Sequence, residues 1–318
     1  MTIAEQAPQT KPRSAPRAAP QATKVRIFVN SSSGWEARED APQRLRELFT
    51  SRGWDTEVHS VSKGTNITEL AQCAIDEGCG VVVAGGGDGT LNAVASALAG
   101  TDTSFGVLPV GTLNHFARDL NIPLDLDAAA DVVLTGRPTR VDVGDVNGRV
   151  FLNNAIIGLY PEYRFIKDRQ ERRGRHRWLA FLSAAAAIFR RYPFLAVRMT
   201  VDGCTQLRRT PYILVANNQH AMQGYQLGTR HSLSEGKLWI YVMKRQSRWG
   251  LIRMVLNLML GRFSAEQDFE IFEAAEAWVE TRRKRRLGVS LDGEIALMDT
   301  PLHFRSLPGS LNVIVPKG

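Results

Sequence analysis

The stretch Val81-Val82-Val83-Ala84-Gly85-Gly86-Gly87-Asp88-Gly89-Thr90-Leu91-Asn92 constrains this chain more than any other. Three valines and an alanine read as the end of a buried strand. Gly85, Gly86, Gly87 and Gly89 follow, too dense a run of glycine for a packed strand or helix. Thr90 then opens a helical run through Ala99, and Gly100 is placed to stop it. Strand, glycine loop and helix start together leave backbone N–H groups unpaired, add the positive end of a helix dipole, and present no side-chain bulk. Such a loop suits phosphate. It lacks the Lys-Ser/Thr of a Walker A loop, and its glycine spacing is not the dinucleotide fingerprint. Asp88 is the odd feature. A carboxylate among phosphates repels them unless Mg²⁺ bridges the two, or unless it takes a proton from an attacking hydroxyl.

The surrounding sequence alternates strands and helices. Val25-Arg26-Ile27-Phe28-Val29-Asn30 reads as a strand that ends in the hydroxyl-rich turn Asn30-Ser31-Ser32-Ser33-Gly34. Leu45, Leu48 and Phe49 form the apolar stripe of a helix that Gly53 terminates. Residues 54–61 read as a second strand, 67–75 as a second helix, 79–84 as a third strand and 105–109 as a short fourth one. This order implies a parallel, doubly wound sheet, in which ligands sit beyond the carboxyl ends of the strands. Asn30, residues 85–90 and Pro109-Val110-Gly111-Thr112 all fall at that edge. Thr112 is either a helix cap or a phosphate-contacting hydroxyl, and Asn114 offers donors and an acceptor to a nucleotide. Arg118 is within reach of a phosphate or of neighbouring acids.

From about residue 139 the chain reads as strands joined by turns. A hairpin is expected about Asn147-Gly148 and continues into residues 153–158. Residues 195–202 and 206–217 form another hairpin about Gly203, with further strands at 237–243, 276–281 and 287–291. This pattern predicts an antiparallel β-sandwich after an α/β domain, with the boundary near residue 138. Within it, Leu291-Asp292-Gly293-Glu294 places two carboxylates at a strand-to-turn position. Such a group either lies exposed on a turn or is aimed into a cleft, where it accepts the proton of a substrate hydroxyl.

Composition narrows the class. A net charge of +8 and a pI near 9.7 call for an anionic partner. Cys73, Cys79 and Cys204 have neither metal-ligand spacing nor a disulfide framework, which fits a reducing cytoplasm. No run reaches the roughly 18 apolar residues of a membrane span, and no secretory signal is present. Residues 1–23, with Pro8, Pro12, Pro16 and Pro20 among Ala and Gln, read as a disordered tail. From Arg164 to Arg191 basic residues accompany Trp178, Phe181, Leu182 and Phe189 at helical spacing, a pattern suited to an anionic membrane surface or to a solvated helix face. Residues 249–263 form a second apolar, Arg-punctuated helix. No nucleic-acid-binding motif is present.

Three motifs in order resemble a known family. Asn30, Ser33 and Gly34, then Gly86 to Thr90, then Pro109, Gly111, Thr112, Asn114, Phe116, Ala117 and Arg118 are similar to the diacylglycerol kinase catalytic domain. That superfamily also holds sphingosine and ceramide kinases and soluble bacterial lipid kinases. The resemblance implies an ATP- and Mg²⁺-dependent kinase acting on a lipid hydroxyl, cytoplasmic and peripherally membrane-associated, with its site between the α/β domain and the sandwich. It assigns nucleotide binding to Asn30, Ser33, Gly34, Gly85, Gly86, Gly87, Gly89, Thr90, Gly111, Thr112 and Asn114. Asp88, Asp292 and Glu294 are the catalytic candidates; which of the three removes the proton is not fixed by sequence, with Asp292 or Glu294 favoured as base and Asp88 placed with the metal–nucleotide. It also returns residues 307–318 to the first domain, leaving 139–306 as the lipid-acceptor domain. Two positions depart from the family: Ser31 stands where many relatives have proline, and Leu233-Ser234-Glu235-Gly236-Lys237-Leu238 keeps only Glu235 of an acidic metal-site pattern. An NAD kinase-like enzyme is disfavoured, because Leu91-Asn92-Ala93 replaces the expected Asn-Glu pair. A non-catalytic nucleotide- or lipid-binding regulator is disfavoured by the intact Asp88 and Asp292-Gly293-Glu294. The acceptor lipid and the oligomeric state, a homodimer among the options, are not read from sequence.

Overall fold

The computed structural model describes residues 23–30, 41–62, 64–161, 163–164, 194–223, 226–230, 232–244, 268–281 and 284–317. Ser31, Ser33, Gly34, nearly all of the proline-rich tail, the basic segment beyond Arg164 and the helix expected at 249–263 lie outside the described residues.

The first part alternates β1 (Lys24–Asn30), α1 (Ala41–Ser51), β2 (Asp55–Val61), α2 (Ile67–Asp76), β3 (Val81–Gly86), α3 (Asp88–Leu98), β4 (Ser104–Pro109), α4 (His115–Asp119) and α5 (Leu126–Thr135). Its strands pair in parallel in the order β2-β1-β3-β4. β1 and β3 are central, and their hydrophobic runs are buried nearly throughout, whereas edge strand β2 alternates buried and exposed positions. Chain direction across the sheet reverses after β2, so right-handed crossovers place α1 and α2 on opposite faces. Ion pairs Arg44–Asp127 and Arg52–Asp131 join α1 to α5 on one face. On the other face the Thr68 hydroxyl of α2 donates to Ala93 O of α3 at 2.9 Å. The strand order turns around between β1 and β3, the point at whose carboxyl ends open α/β sheets bind ligands.

The second part comprises β5 (Arg137–Val146), β6 (Arg149–Phe151), β7 (Asn154–Gly158), β8 (Leu195–Val201), β9 (Cys204–Thr210), β10 (Tyr212–Asn217), β11 (His220–Gln223), β12 (Gln226–Arg230), β13 (Leu238–Met243), β14 (Phe269–Ala274), β15 (Glu276–Thr281), β16 (Arg286–Leu291), β17 (Glu294–Asp299) and β18 (Leu302–Val315). An antiparallel sheet, β14-β13-β10-β7-β16-β17, packs over the far half of the first sheet, which continues β4-β18-β15-β8-β9. Val197, Ile213, Val215, Ile240, Val279, Val289 and Phe304 fill the space between them. Three tight hairpin turns pair a left-handed Asn or Asp with a left-handed Gly: Asn147-Gly148, Asp202-Gly203 and Asp292-Gly293.

β18 ties the two parts together. Its first residues, Leu302 and Phe304, belong to the sandwich core, while Leu311 and Val313 belong to the α/β core. An irregularity between Leu307 and Leu311, spanning Pro308 and Gly309, lets one strand serve both. Val313 pairs in parallel with Phe105 of β4.

Several expectations need correction. Residues 206–217 are not one strand. Pro211 has no N–H for a ladder, so β9 ends in the larger sheet and β10 begins in the smaller one. The helix after the glycine loop begins at Asp88 rather than Thr90. Helix α5 is capped by Asp125, whose carboxylate accepts from Ala128 N at 3.0 Å. It and strands β14 and β17 were not anticipated.

Candidate active site

The glycine loop ends β3 and starts α3 where the strand order turns around, between β1 and β3. None of Gly85, Gly86, Gly87 and Gly89 has positive φ, so left-handed geometry is not what requires them. Close contact is the reason at two of them. A Cβ on Gly86 would lie 2.5 Å from Thr90 Cβ, and one on Gly89 would lie 2.8 Å from Glu294 Oε1. Thr90 is thereby seated on the loop, and its hydroxyl accepts from Asn30 Nδ2 of β1 at 3.1 Å. Gly87 is the cap residue of α3 and provides no side chain. Thr90 N and Leu91 N donate to Gly87 O at 2.9 and 3.1 Å, which leaves the N–H groups of Asp88 and Gly89, the first two of the helix, without an acceptor in it and able to face an anion. Asp88 stands at that turn, with Oδ1 accepting from Phe116 N at 3.4 Å.

The β4–α4 loop lies against this one. A Cβ on Gly111 would fall 2.4 Å from Gly87 Cα, so the two backbones meet there. Asn114, left-handed at φ 51° and buried, accepts from Gly111 N at 3.0 Å and donates to Gly111 O at 2.8 Å and Pro109 O at 3.2 Å. Its amide group is spent on shaping its own loop. Arg118 Nε donates to Leu113 O at 3.1 Å, again within the loop. Thr112 is exposed, and Leu113 beside it is 60% exposed.

The Asp292-Gly293 turn joins β16 to β17 and reaches the same place from the sandwich. Asp292 is left-handed at φ 45°. Its carboxylate accepts three backbone N–H groups: Leu152 at 2.7 Å, Asn153 at 2.8 Å and Asn154 at 2.9 Å. Burial pushes its pKa up to about 6, against the downward pull of those amides and of Arg230. Glu294, first residue of β17, sets its carboxylate against Gly89. Residues more than 200 positions apart in the chain are thus adjacent, and Asp88, Gly89 and Glu294 share one locality.

Arg230 is the residue that sequence reading missed. Its side chain is fully buried and its Nε donates to Asp119 Oδ2 at 2.7 Å. Nη1 donates to Leu152 O at 2.7 Å and Asn217 O at 3.3 Å, and Nη2 to Asn153 Oδ1 at 3.1 Å. The guanidinium also lies 5.8 Å from the centre of the Phe116 ring. The available signal was weak: Arg230 stands among polar residues, and Asp119 looked like any acid at a helix end.

No cluster of three or more His, Cys, Asp or Glu among the described residues forms a metal cage. A hard cation shared between Asp88 and phosphate oxygens needs no such cage, and a carboxylate beside open amides suits that donor set. The loop containing Glu235 is fastened by Asp142, which accepts from Gly236 N at 2.6 Å and Gly309 N at 2.8 Å.

Comparison with known proteins agrees with this layout. The family model for the diacylglycerol kinase catalytic domain matches residues 24–146, and that for the YegS C-terminal NAD kinase beta sandwich-like domain matches residues 165–315. The diacylglycerol kinase of Bacillus subtilis is 28% identical over 297 residues, covering 92% of this chain and 97% of the relative. A YegS-like lipid kinase of Pseudomonas fluorescens is 30% identical over 289 residues, covering 89% of this chain and 93% of the relative. A crystal structure of a diacylglycerol kinase from Bacillus anthracis superposes with a TM-score of 0.68 at 22% identity, over 92% of this chain and 97% of that one, which establishes the likeness of fold. With both halves matched in order and one relative aligned over nearly its whole length, the chain belongs to the diacylglycerol kinase catalytic-domain family of lipid kinases.

Proposed function

We propose that the protein transfers the γ-phosphate of ATP to a hydroxyl of a lipid, diacylglycerol or a related one, at a membrane surface. The observation that carries this reading is the placement of the Glu294 carboxylate against Gly89 of the glycine loop. A group able to take a proton thereby stands beside amides able to hold a phosphate. ATP binds the unit formed by residues 24–138 and 307–318, and the acceptor binds residues 139–306. The open amides of α3, with Thr90 and the exposed Thr112, hold the phosphates. Asn30 and Asn114 act mainly by fixing Thr90 and the second loop, through the hydrogen bonds described above. Ser33 and Gly34 keep the nucleotide-binding role that the family motif gives them.

Asp88 is the residue that would hold Mg²⁺ together with the nucleotide. When bound, the ion offsets the charge on the phosphate oxygens during transfer. Between the two acids of the turn, Glu294 is the better general base. Both oxygens of Asp292 are engaged by backbone amides, whereas Glu294 is exposed beside the glycine loop. Glu294 accepts the proton of the lipid hydroxyl as the oxygen attacks the γ-phosphorus, and Asp292 anchors the turn that carries it.

The test is incubation of the purified protein with radiolabelled ATP, Mg²⁺ and a panel of vesicle-borne diacylglycerol, sphingoid base, polyprenol and glycerophospholipid. Labelled lipid is expected from the wild type. Glu294→Gln is expected to lower kcat by about 100-fold or more, the range of a lost general base. Label on NAD instead of lipid, or none at all, would refute the reading.

Among the described residues no helix is long and apolar enough to cross a membrane. Access to the lipid is assigned to the basic segment from Arg164 to Arg191. Changing Arg172, Arg173, Arg175 and Arg177 to Gln is expected to weaken co-sedimentation with anionic vesicles, at about 1 kcal/mol per engaged residue. Binding indifferent to salt and to anionic lipid would exclude this attachment.

A further inference from the structure

The carboxylates of the site are joined by a closed circuit of contacts, and Arg230 occupies its middle. Starting at α3, Asp88 accepts from Phe116 N of α4. The same helix ends at Asp119, which takes both the backbone N–H of Arg230 at 3.1 Å and its Nε at 2.7 Å. Arg230 then reaches Leu152 O and Asn153 Oδ1. The N–H groups of that same segment, residues 152–154, hold the Asp292 carboxylate. Two residues on, Glu294 rests against Gly89 of α3 and closes the circuit.

We propose that Arg230 is a positioning residue for phosphoryl transfer: by clamping Asp119 of α4 to residues 152–154, it sets where the Asp292 turn holds Glu294 relative to Asp88. The proposal rests on the lipid-kinase reading given above.

The chemistry of the pair favours positioning over stability. A fully buried ion pair loses most of its solvation, and an apolar pair of similar volume would hold the fold as well or better. A planar fork, however, can satisfy acceptors on three segments at fixed angles, which neither lysine nor an apolar side chain does. Nε, Nη1 and Nη2 all have partners here, on α4, on residues 152–153 and at Asn217. Asn217 reinforces the same point, because its Nδ2 donates to Leu152 O at 3.0 Å and to Asp142 O at 2.9 Å. His220 is buried beside the pair. Burial first and Arg230 second push its pKa down to about 4, so it adds no competing positive charge at neutral pH.

The experiment combines a double-mutant cycle with amide exchange. Arg230→Met is expected to lower kcat by about 10- to 100-fold, the effect of displacing a reacting group by about an ångström. Nucleotide affinity and the KM for ATP are expected to stay within about twofold, since the open amides of α3 are untouched. In a Glu294→Gln background, Arg230→Met is expected to cost less than about twofold, because the group it positions is already gone. Hydrogen exchange at the amides of residues 152–154 is expected to speed up in Arg230→Met. Arg230→Lys, which keeps charge but not the fork, is expected to fall between the two. Where Arg230→Met does not fold, Arg230→Lys and Asp119→Asn carry the same cycle. Equal losses in both backgrounds, or unchanged exchange at residues 152–154, would overturn the proposal. A wild type that phosphorylates no lipid refutes the lipid-kinase reading instead, and the exchange measurement then decides the clamp by itself.

Discussion

Two clusters of backbone amides face the same site, and they are used in opposite ways. At the start of α3 the N–H groups have no side-chain cap, and glycines clear the space around them. At residues 152–154 three consecutive N–H groups all point at one carboxylate, that of Asp292. The first cluster lies at the positive end of a helix and is the phosphate site of the proposed function. The second is an anion site already filled by the protein's own acid. The difference teaches what each carboxylate is for. Asp292 is engaged in holding a turn, and the proposed function accordingly gives the chemistry to Glu294 and Asp88.

The comparison can be broken most forcefully at Asp88. Asp88→Asn keeps the shape but loses the charge that, in the proposed function, shares a cation with phosphate. Transfer is expected to fall by at least about 1,000-fold, roughly 4 kcal/mol, with the thermal midpoint little changed. Activity within about tenfold of wild type would make Asp88 a purely structural acid.

Adding a single methyl sharpens the picture of the open cluster, because neighbouring glycines are expected to fail differently. Gly111→Ala drives a Cβ to 2.4 Å from the backbone at Gly87. Neither backbone gives way easily, so a stability loss of about 1–3 kcal/mol is expected along with poor ATP binding. In Gly89→Ala the new atom meets only the end of the Glu294 side chain, at 2.8 Å. That side chain can move, so kcat should drop while the fold and the KM for ATP stay near wild type. Gly87→Ala meets nothing closer than 3.7 Å, at φ −83° and ψ 179°, which alanine tolerates. Its effect should be confined to a severalfold rise in the KM for ATP, since the methyl intrudes only on the proposed phosphate position. Steady-state kinetics with thermal melts separate the three, and identical behaviour would show that the loop is not a phosphate cradle.

The smallest effect concerns the filled cluster and is read through pH. Asp292 has its pKa raised to about 6 by burial. Between about pH 4, the ordinary carboxylate range, and pH 6 the folded chain holds this proton more tightly than the unfolded one. Its contribution to stability is therefore full below about pH 4 and is lost as the pH rises through 6. Denaturation midpoints measured across that window should fall in the wild type relative to Asp292→Asn. A parallel pair of curves would show that Asp292 is ionised throughout, as its amides alone would dictate.

Legibility followed the range of the interactions involved, not the half of the molecule. The β3–α3 loop, the parallel strands and the three Asn-Gly or Asp-Gly turns obey local rules, because strand burial, helix starts and left-handed φ are written within a few residues. Pro211 was visible too, yet its consequence, the transfer of the chain from one sheet to the other, needed both sheets in view. Helix α5 leaves only a weak mark in the sequence, small apolar residues and one cap. The residue type of Asn114 suits a nucleotide contact, and only the structure shows that its left-handed backbone folds the amide back onto Pro109 and Gly111.

By itself the sequence determined the strand, glycine loop and helix start at residues 81–98, the order of α/β unit and sandwich, and the two acidic motifs. Each depends on short-range backbone preference and on residue type. Only the tertiary structure decided which acid accepts backbone donors, because a carboxylate's partners come from distant parts of the chain. Asp292 and its three donors are about 140 positions apart in the chain. Glu294 is brought to Gly89, and Asp119 to Arg230, over 205 and 111 positions respectively. Such pairings arise from strand order and sheet packing, with β18 holding the two cores in one sheet. A single chain carries no local mark of them, since burial and partnership are properties of the assembled fold.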